Sequence, residues 1–232
     1  MKLCPPLARG RLLRRYKRFL ADVETPEGPL TVHCPNTGAM SGCSEPGLEV
    51  WYSRSGNPKR KYPHTLEVVC TPLGRVGVNT ARANRLVDEA LEHESIAELA
   101  GYARVRAEAR IPGNGGRFDF LLERGSDRCW VEVKSLTLCG TDGRGAFPDA
   151  VSDRALRHVE ALEAQIRHGD RAVLVFCVQH TGVRYATPAD EIHPAYGAAL
   201  RAAAASGVEV LAYGCRIARD RLAVTDSLPV LL

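Results

Sequence analysis

Gly116-Arg117-Phe118-Asp119-Phe120-Leu121-Leu122, then Glu123-Arg124-Gly125-Ser126-Asp127-Arg128, then Cys129-Trp130-Val131-Glu132-Val133-Lys134-Ser135 is the stretch on which the reading of this chain turns. Its outer segments are short, apolar and alternating. Its middle is polar with a glycine, the pattern of two strands joined by a loop. Side chains alternate along a strand, so Glu132 and Lys134 share one face while Val131 and Val133 share the other. If Leu122 pairs with Cys129 across a six-residue loop, Asp119 falls opposite Glu132 on the same face. A slip of one residue sends Asp119 to the other face, so the inference depends on that register.

Two carboxylates side by side repel unless something positive lies between them. A hard divalent cation fits: Mg²⁺ prefers one or two carboxylates plus waters and phosphate oxygens. Lys134 lies one strand step beyond Glu132, within reach of a water or a phosphate. The other reading is a surface hairpin with a cross-strand cluster of opposite charges, and a bare D…ExK match is common. The apolar flanks favour a cleft. The pattern looks like the PD-(D/E)xK nuclease core, in which Asp and Glu-x-Lys on neighbouring strands hold the metal. Phe118 stands where that core often has proline.

Composition sets the frame. The 232 residues suffice for one large domain or two small ones, and apolar residues make up 45%, enough for a core. No apolar run approaches the roughly 20 residues that span a bilayer. The start, Met1-Lys2-Leu3-Cys4-Pro5-Pro6, meets prolines at once and has no signal-peptide core, so a cytoplasmic location with no membrane partner is expected. The eight cysteines include no CxxC pair, which argues against disulfides and zinc. Residues 1–80 hold twelve Lys/Arg against six Asp/Glu, and the rest nineteen against twenty-one. The basic excess is N-terminal, as for a half that meets a polyanion.

Arg9–Leu20 carries six basic residues with Tyr16 and Phe19 between them. Cations interleaved with aromatics serve phosphate tracking and base stacking. The alternative is an edge strand protected by charge. Lys59-Arg60-Lys61-Tyr62 repeats the composition. Short strands are expected at Phe19–Glu24, Leu30–His33, Leu48–Arg54, Thr65–Thr71 and Arg75–Asn79, with a hairpin at Thr25–Pro29. Five short strands in about seventy residues point to a small barrel of the OB type. After Thr80 the period changes to a helix over Ala81–Ala100, stopped by Gly101. A strand over Arg104–Ile111 follows, then a turn over Pro112–Gly116. Beyond the central hairpin, Cys139–Asp149 reads as a glycine-rich loop able to close over a bound strand. Val151–His168 reads as a helix capped by Ser152; its Arg154, Arg157, His158 and Arg167 could contact phosphate, with solvated helix charges the equal alternative. A buried strand at Ala172–Gln179, a helix at Pro194–Ser206 and strands at Val208–Tyr213 and Leu222–Thr225 complete a mixed α/β domain.

Taken together, Arg15–Asp22, His33–Met40, Lys59–Thr65, Val78-Asn79-Thr80 with Ala83–Leu86, Asp119-Phe120, Val131–Ser135 and Phe147–Val151 resemble the sugar fermentation stimulation protein A family over essentially the whole length. The resemblance implies a basic OB-like barrel over residues 1–80 joined to a PD-(D/E)xK nuclease-like α/β domain over 81–232. It also implies DNA binding and a regulatory link to sugar utilisation. Asp119, Glu132 and Lys134 match its nuclease-like positions.

Two functions follow as expectations. In one, Mg²⁺ or Mn²⁺ bound by Asp119, Glu132 and the Val133 carbonyl, with Lys134 beside the attacking water, hydrolyses phosphodiesters. In the other, the chain is a non-cleaving DNA-binding regulator of sugar (maltose) metabolism genes. Either way Arg14, Arg15, Lys17, Arg18, Lys59, Arg60, Lys61, Arg154 and His158 are the expected DNA-binding residues. No helix-turn-helix or zinc module is legible, so sequence-nonspecific binding is expected.

Overall fold

Residues 1–111 and 116–232 are described by a computed structural model. The first half closes on itself. β1 (Ala8–Tyr16) pairs antiparallel with both β2 (Leu20–Thr25) and β4 (Glu49–Arg54). β3 (Gly28–His33) pairs with β2, and β5 (His64–Thr71) with β4. The His33↔Thr65 pairing of β3 with β5 joins the ends, giving a closed five-stranded OB barrel. β6 (Gly74–Gly77) adds to β5 outside the closure. The lumen fills with Leu12, Ala21, Val23, Val32, Val50, Leu66 and Val69. One side chain in two faces inward on such a strand, so Leu12 is buried while Arg11 and Leu13 are exposed. β1 has a partner on each side, so its charges do not guard an edge. The β2–β3 hairpin closes at Thr25↔Gly28, and Gly28 takes a φ of +108°, which favours glycine.

The second half is layered. Its elements are α1 (Ala81–Glu92), β7 (Arg104–Arg110), β8 (Arg117–Arg124), β9 (Asp127–Leu136), β10 (Leu138–Cys139) and β11 (Arg144–Phe147). They continue with α2 (Asp153–Arg167), β12 (Arg171–Val178), β13 (Tyr185–Pro188), α3 (Pro194–Ala205), β14 (Glu209–Ile217) and β15 (Leu222–Ser227). The main sheet has the order β15-β14-β12-β9-β8-β7, with β9, β12 and β14 parallel at its centre. A parallel centre needs cover on both faces. α1 packs with Val131, Val133, Val173 and Val175 on one face. α2 and α3 pack with Trp130, Leu174 and Phe176 on the other. Ser152 caps α2, its hydroxyl accepting the Ala155 N–H at 3.2 Å.

Three expectations change, and a fourth is untested. The helix after Thr80 ends at Glu92, not Ala100. Glu94 adopts φ +51°, and the Ser95 N–H reaches back to the Ala90 carbonyl while that of Glu94 reaches Leu91. That is a Schellman stop made without glycine, and one turn of 3₁₀ helix (Ala97–Leu99) follows it. The central hairpin is tighter than six residues, because Glu123↔Arg128 and Arg124↔Asp127 also pair and only Gly125-Ser126 turns. The glycine-rich segment is no open loop: β10, β11 and β13 form a small sheet of their own. The turn expected over Pro112–Gly116 lies, but for Gly116, outside the described residues.

The halves are stitched edge to edge. The Gly77 N–H donates to the Gln179 carbonyl at 2.8 Å, and the Thr181 N–H to the Arg75 carbonyl at 3.0 Å. The Arg75 guanidinium donates to the Ile217 carbonyl at 2.8 Å and lies over the Trp51 ring. A Cβ on Gly182 would fall 2.2 Å from the Leu73 carbonyl oxygen, so backbone approaches backbone there with no room for a side chain. At the other end of the interface, the Leu3 and Leu7 N–H groups donate to Asp220 and Arg219 in the β14–β15 turn.

Candidate metal centre

The register expected of the central hairpin holds as far as Phe120↔Val131, but the shared face expected of Asp119 and Glu132 does not follow from it, because Asp119 turns to α1 and Glu132 to α2. Leu122 faces Cys129, and the ladder runs on to Phe120↔Val131. One step further Asp119 leaves the ladder. Its Oδ2 accepts the Val133 N–H at 2.7 Å in place of a backbone carbonyl, and its Oδ1 accepts from the Asn84 amide of α1 at 2.6 Å. Glu132 points to the opposite helix layer. Its Oε1 accepts from Lys134 Nζ at 2.7 Å and from His158 Nδ1 of α2. Asp119 and Glu132 are therefore approached from the two sides of the sheet, by α1 and α2 respectively.

Burial makes the pair costly. Glu132 is 3% exposed and the Lys134 side chain 12%. Burial, and next the charge of Glu132, push the Asp119 carboxyl up to about 6, against the bonds from Val133 and Asn84 and the Lys134 charge. Burial also opposes the charge on Glu132. There the His158 hydrogen bond and the Lys134 ammonium prevail and hold it below the usual glutamate value. Two neighbouring carboxyls are pushed in opposite directions, an arrangement concentrated at functional sites.

The donor set fits a hard divalent cation. Lys134 and His158 both contact Oε1, and Oε2 of Glu132 is buried with no hydrogen-bond partner among the described residues. A buried carboxylate oxygen left unmatched is expensive, and a cation would satisfy it. No group of three His, Cys, Asp or Glu side chains gathers to hold a metal among the described residues. An ion here would take two carboxylates and complete its shell with backbone oxygen, such as the Val133 carbonyl, and water, as Mg²⁺ does.

Beside the centre lies a cleft of about 440 Å³. Ser135, which follows Lys134, lines it together with Arg18 and Asn36–Gly38 of the barrel, Thr80, and residues 146–152. The barrel loop fits closely: a Cβ on Gly38 would sit 2.4 Å from Asp149 Oδ2. Arg154 lies one turn before His158 on α2, so both occupy one helix face.

The other basic residues part company. Lys17 and Arg18 are exposed in the β1–β2 turn at φ +49° and +63°. Arg14 is exposed but pairs with Asp22 at 2.8 Å and lies over Tyr16. Arg15 is turned inward: one guanidinium nitrogen donates to the carbonyls of Arg18, Asn36 and Gly38 at 2.9, 2.8 and 2.9 Å. Lys59, Arg60 and Lys61 sit on a different loop, and Arg60 lines a separate cleft. Asn84 and the Glu132 contact of His158 escaped the sequence reading. Asn84 reads as one polar residue on an amphipathic helix, and only the three-dimensional fold brings it to Asp119. Among the described residues no helix is long and apolar enough to cross a membrane.

Two family models match the chain: the sugar fermentation stimulation protein RE domain over residues 81–221 and the SfsA N-terminal OB domain over residues 13–78. The chain is 52% identical to the sugar fermentation stimulation protein homolog of Hahella chejuensis, over 95% of this chain and 93% of that one. It is 53% identical to the homolog of Pseudomonas aeruginosa PAO1, with both chains wholly covered. It also superposes on a solved structure, that of Pyrococcus furiosus SfsA in complex with Ca²⁺. The TM-score is 0.90 at 25% identity, over 100% of this chain and 98% of that one.

Proposed function

The chain belongs to the sugar fermentation stimulation protein family, and from that premise we propose that it binds DNA without sequence preference and hydrolyses phosphodiesters at a divalent-metal centre. The observation that carries this reading is the unmatched, buried Oε2 of Glu132, whose charge reaches the buried Asp119 carboxyl. The Ca²⁺ complex of the Pyrococcus furiosus relative supports a cation at this fold.

Asp119, Glu132 and the Val133 carbonyl are the donors for Mg²⁺ or Mn²⁺. The bound ion would lower the pKa of a coordinated water and offset charge on the pentacovalent phosphate. The chain's own groups do the rest. Asn84 and the Val133 N–H fix the rotamer of Asp119. The Lys134 ammonium, one strand step from the donors, orients the attacking water and faces the phosphate. Arg18 lines the cleft and Arg154 is exposed one turn from His158 on α2, and both hold the strand by its phosphates, which carry no base information.

Plasmid and single-stranded DNA incubated with Mg²⁺, Mn²⁺ or EDTA test the reading, with Asp119→Ala beside them. Cleavage that needs the metal and vanishes in the variant supports it. Lys134→Ala should keep metal binding by calorimetry yet lose cleavage at least about a hundredfold, as for a group that acts in the transition state. Metal binding and DNA binding without cleavage would make the protein a non-cleaving regulator. Unchanged activity in Asp119→Ala would remove the centre from the chemistry.

A further inference from the structure

A second charged cleft, of about 380 Å³, lies where the barrel meets the first turn of α1 and the N-terminal segment. Its floor is a polar network centred on Glu67. Glu67, 2% exposed, accepts from Ser53 Oγ at 2.6 Å, from the Asn79 amide at 2.8 Å, and from Arg82 Nε and Nη2 at 3.0 and 2.7 Å. Glu67 neutralises Arg82. Three further cations line the cleft: Lys2, Arg54 and Arg60. None has an ion-pair partner among the described residues, and the Arg60 guanidinium has a single bond, to Thr65 Oγ1 at 3.1 Å. Four cations against one carboxylate leave a local charge of +3 in a concave place, with Lys2 and Arg54 exposed and Arg60 half-buried. Burial, and after it the charges of Arg60 and Arg54 respectively, hold His33 and His64 below the usual imidazole value.

Asn79 adds a second requirement. It is 8% exposed, its amide nitrogen is committed to Glu67, and its Oδ1 has no hydrogen-bond partner among the described residues. An occupant that completes this cleft brings negative charge for the three cations and a donor for that oxygen. A carboxylate or a phosphodiester brings one negative charge. A phosphate monoester brings about −1.5 to −2 at neutral pH and three acceptor oxygens that match guanidinium forks. A sugar hydroxyl supplies the donor. The volume lies in the range of pockets built for small ligands.

We propose that the cleft between Lys2, Arg54, Arg60 and Asn79 is a binding site for a phosphate monoester carried on a hydroxyl-bearing sugar. Two sources share that chemistry: a free sugar phosphate or nucleotide, and the 5′-phosphorylated end of a nucleic-acid strand. Arg82 and Asn84 are two residues apart on α1 and so point to opposite sides of the helix. The site is thus distinct from the metal centre, and the inference stands whether or not the centre cleaves DNA.

The test uses the full chain in EDTA, so that the metal centre contributes nothing. Ribose 5-phosphate is titrated beside ribose, and a 5′-phosphorylated oligonucleotide beside its 5′-hydroxyl form. Saturable binding of ribose 5-phosphate but not ribose supports the site and assigns it to a free metabolite. Binding only of the 5′-phosphorylated oligonucleotide, at least about tenfold over the 5′-hydroxyl form, supports the site and assigns it to a strand end. Arg54→Gln with Arg60→Gln should weaken either by about tenfold for each guanidinium removed. The Asn79 side-chain amide resonance of the unaltered protein should move on titration, a readout that does not depend on the variant's folding. The proposal fails if no monoester binds at millimolar concentration. It fails equally if the folded double variant binds unchanged, or if the two oligonucleotides bind alike while ribose 5-phosphate does not bind.

Discussion

Asp119 keeps its proton to about pH 6 because burial and the Glu132 charge both disfavour its ionised form. In the unfolded chain the same group ionises near 3.9. Between those values the folded protein binds more protons than the unfolded one, so raising the pH lowers stability across that window. Below about 4 the two states are alike; above about 6 the whole cost, on the order of 3 kcal/mol, is present. Asp119→Asn removes the titration. In EDTA, the stability of the unaltered chain relative to this variant should therefore fall as pH rises from about 4 to about 6. Any loss from altered hydrogen bonds is an offset that does not vary with pH. Chemical denaturation of both proteins over that range measures it, and a flat difference would mean that Asp119 is not the buried, coupled group described. Saturating Mg²⁺ should reverse the slope, since the cation favours the ionised form. The pairing of Leu122 with Cys129 was legible in the sequence, because strand alternation on both sides of a polar turn admits few registers. The departure of Asp119 from the ladder was not, since it depends on Asn84, 35 residues earlier.

Among elements, the β1–β2 turn illustrates how charge density misleads. Arg14, Arg15, Lys17 and Arg18 look alike along the chain, yet Arg15 ties the turn to the Asn36–Gly38 loop through backbone carbonyls. Its removal strands three acceptors. Arg15→Ala should cost about 2–4 kcal/mol of stability and leave the salt slope of DNA binding near its starting value. Lys17→Ala with Arg18→Ala should do the reverse, lowering the slope of log K against log salt by about two on duplex DNA with stability preserved. Anisotropy over a salt series, with thermal melts of the same variants, separates the two outcomes. An unchanged slope in the double variant would move the DNA surface away from this turn. Sequence reading located four of the barrel's five strands; it counted β6, which lies outside the closure, and passed over β1, whose run of charges hides its alternation. It overran α1, because the stop at Glu94 rests on backbone geometry and not on a glycine, and it read β10 and β11 as a lid because two short strands in a glycine-rich run carry no alternation.

At the scale of the molecule, the barrel and the α/β domain share hydrogen bonds between residues about a hundred positions apart, such as Arg75 and Thr181. Such a contact leaves no periodic trace in a sequence. The close approach of Gly182 to the Leu73 carbonyl makes it testable: Gly182→Val has nowhere to put its side chain except by parting the domains. The unaltered chain should unfold in one calorimetric transition and the variant in two, the first at lower temperature. A single transition at an unchanged temperature would show that the domains do not depend on this contact. Gly77, at the same seam, carries a further consequence. A Cβ there would stand 3.0 Å from the Gln179 side-chain oxygen, while Gln179 donates to Ser135, next to Lys134, at 2.8 Å. Positions 77 and 179 therefore compete for one volume. As related chains drift apart, a larger residue at 77 should arrive only with a smaller one at 179. The barrel's history would then be written, through a single side chain, into the strand that carries the carboxylate.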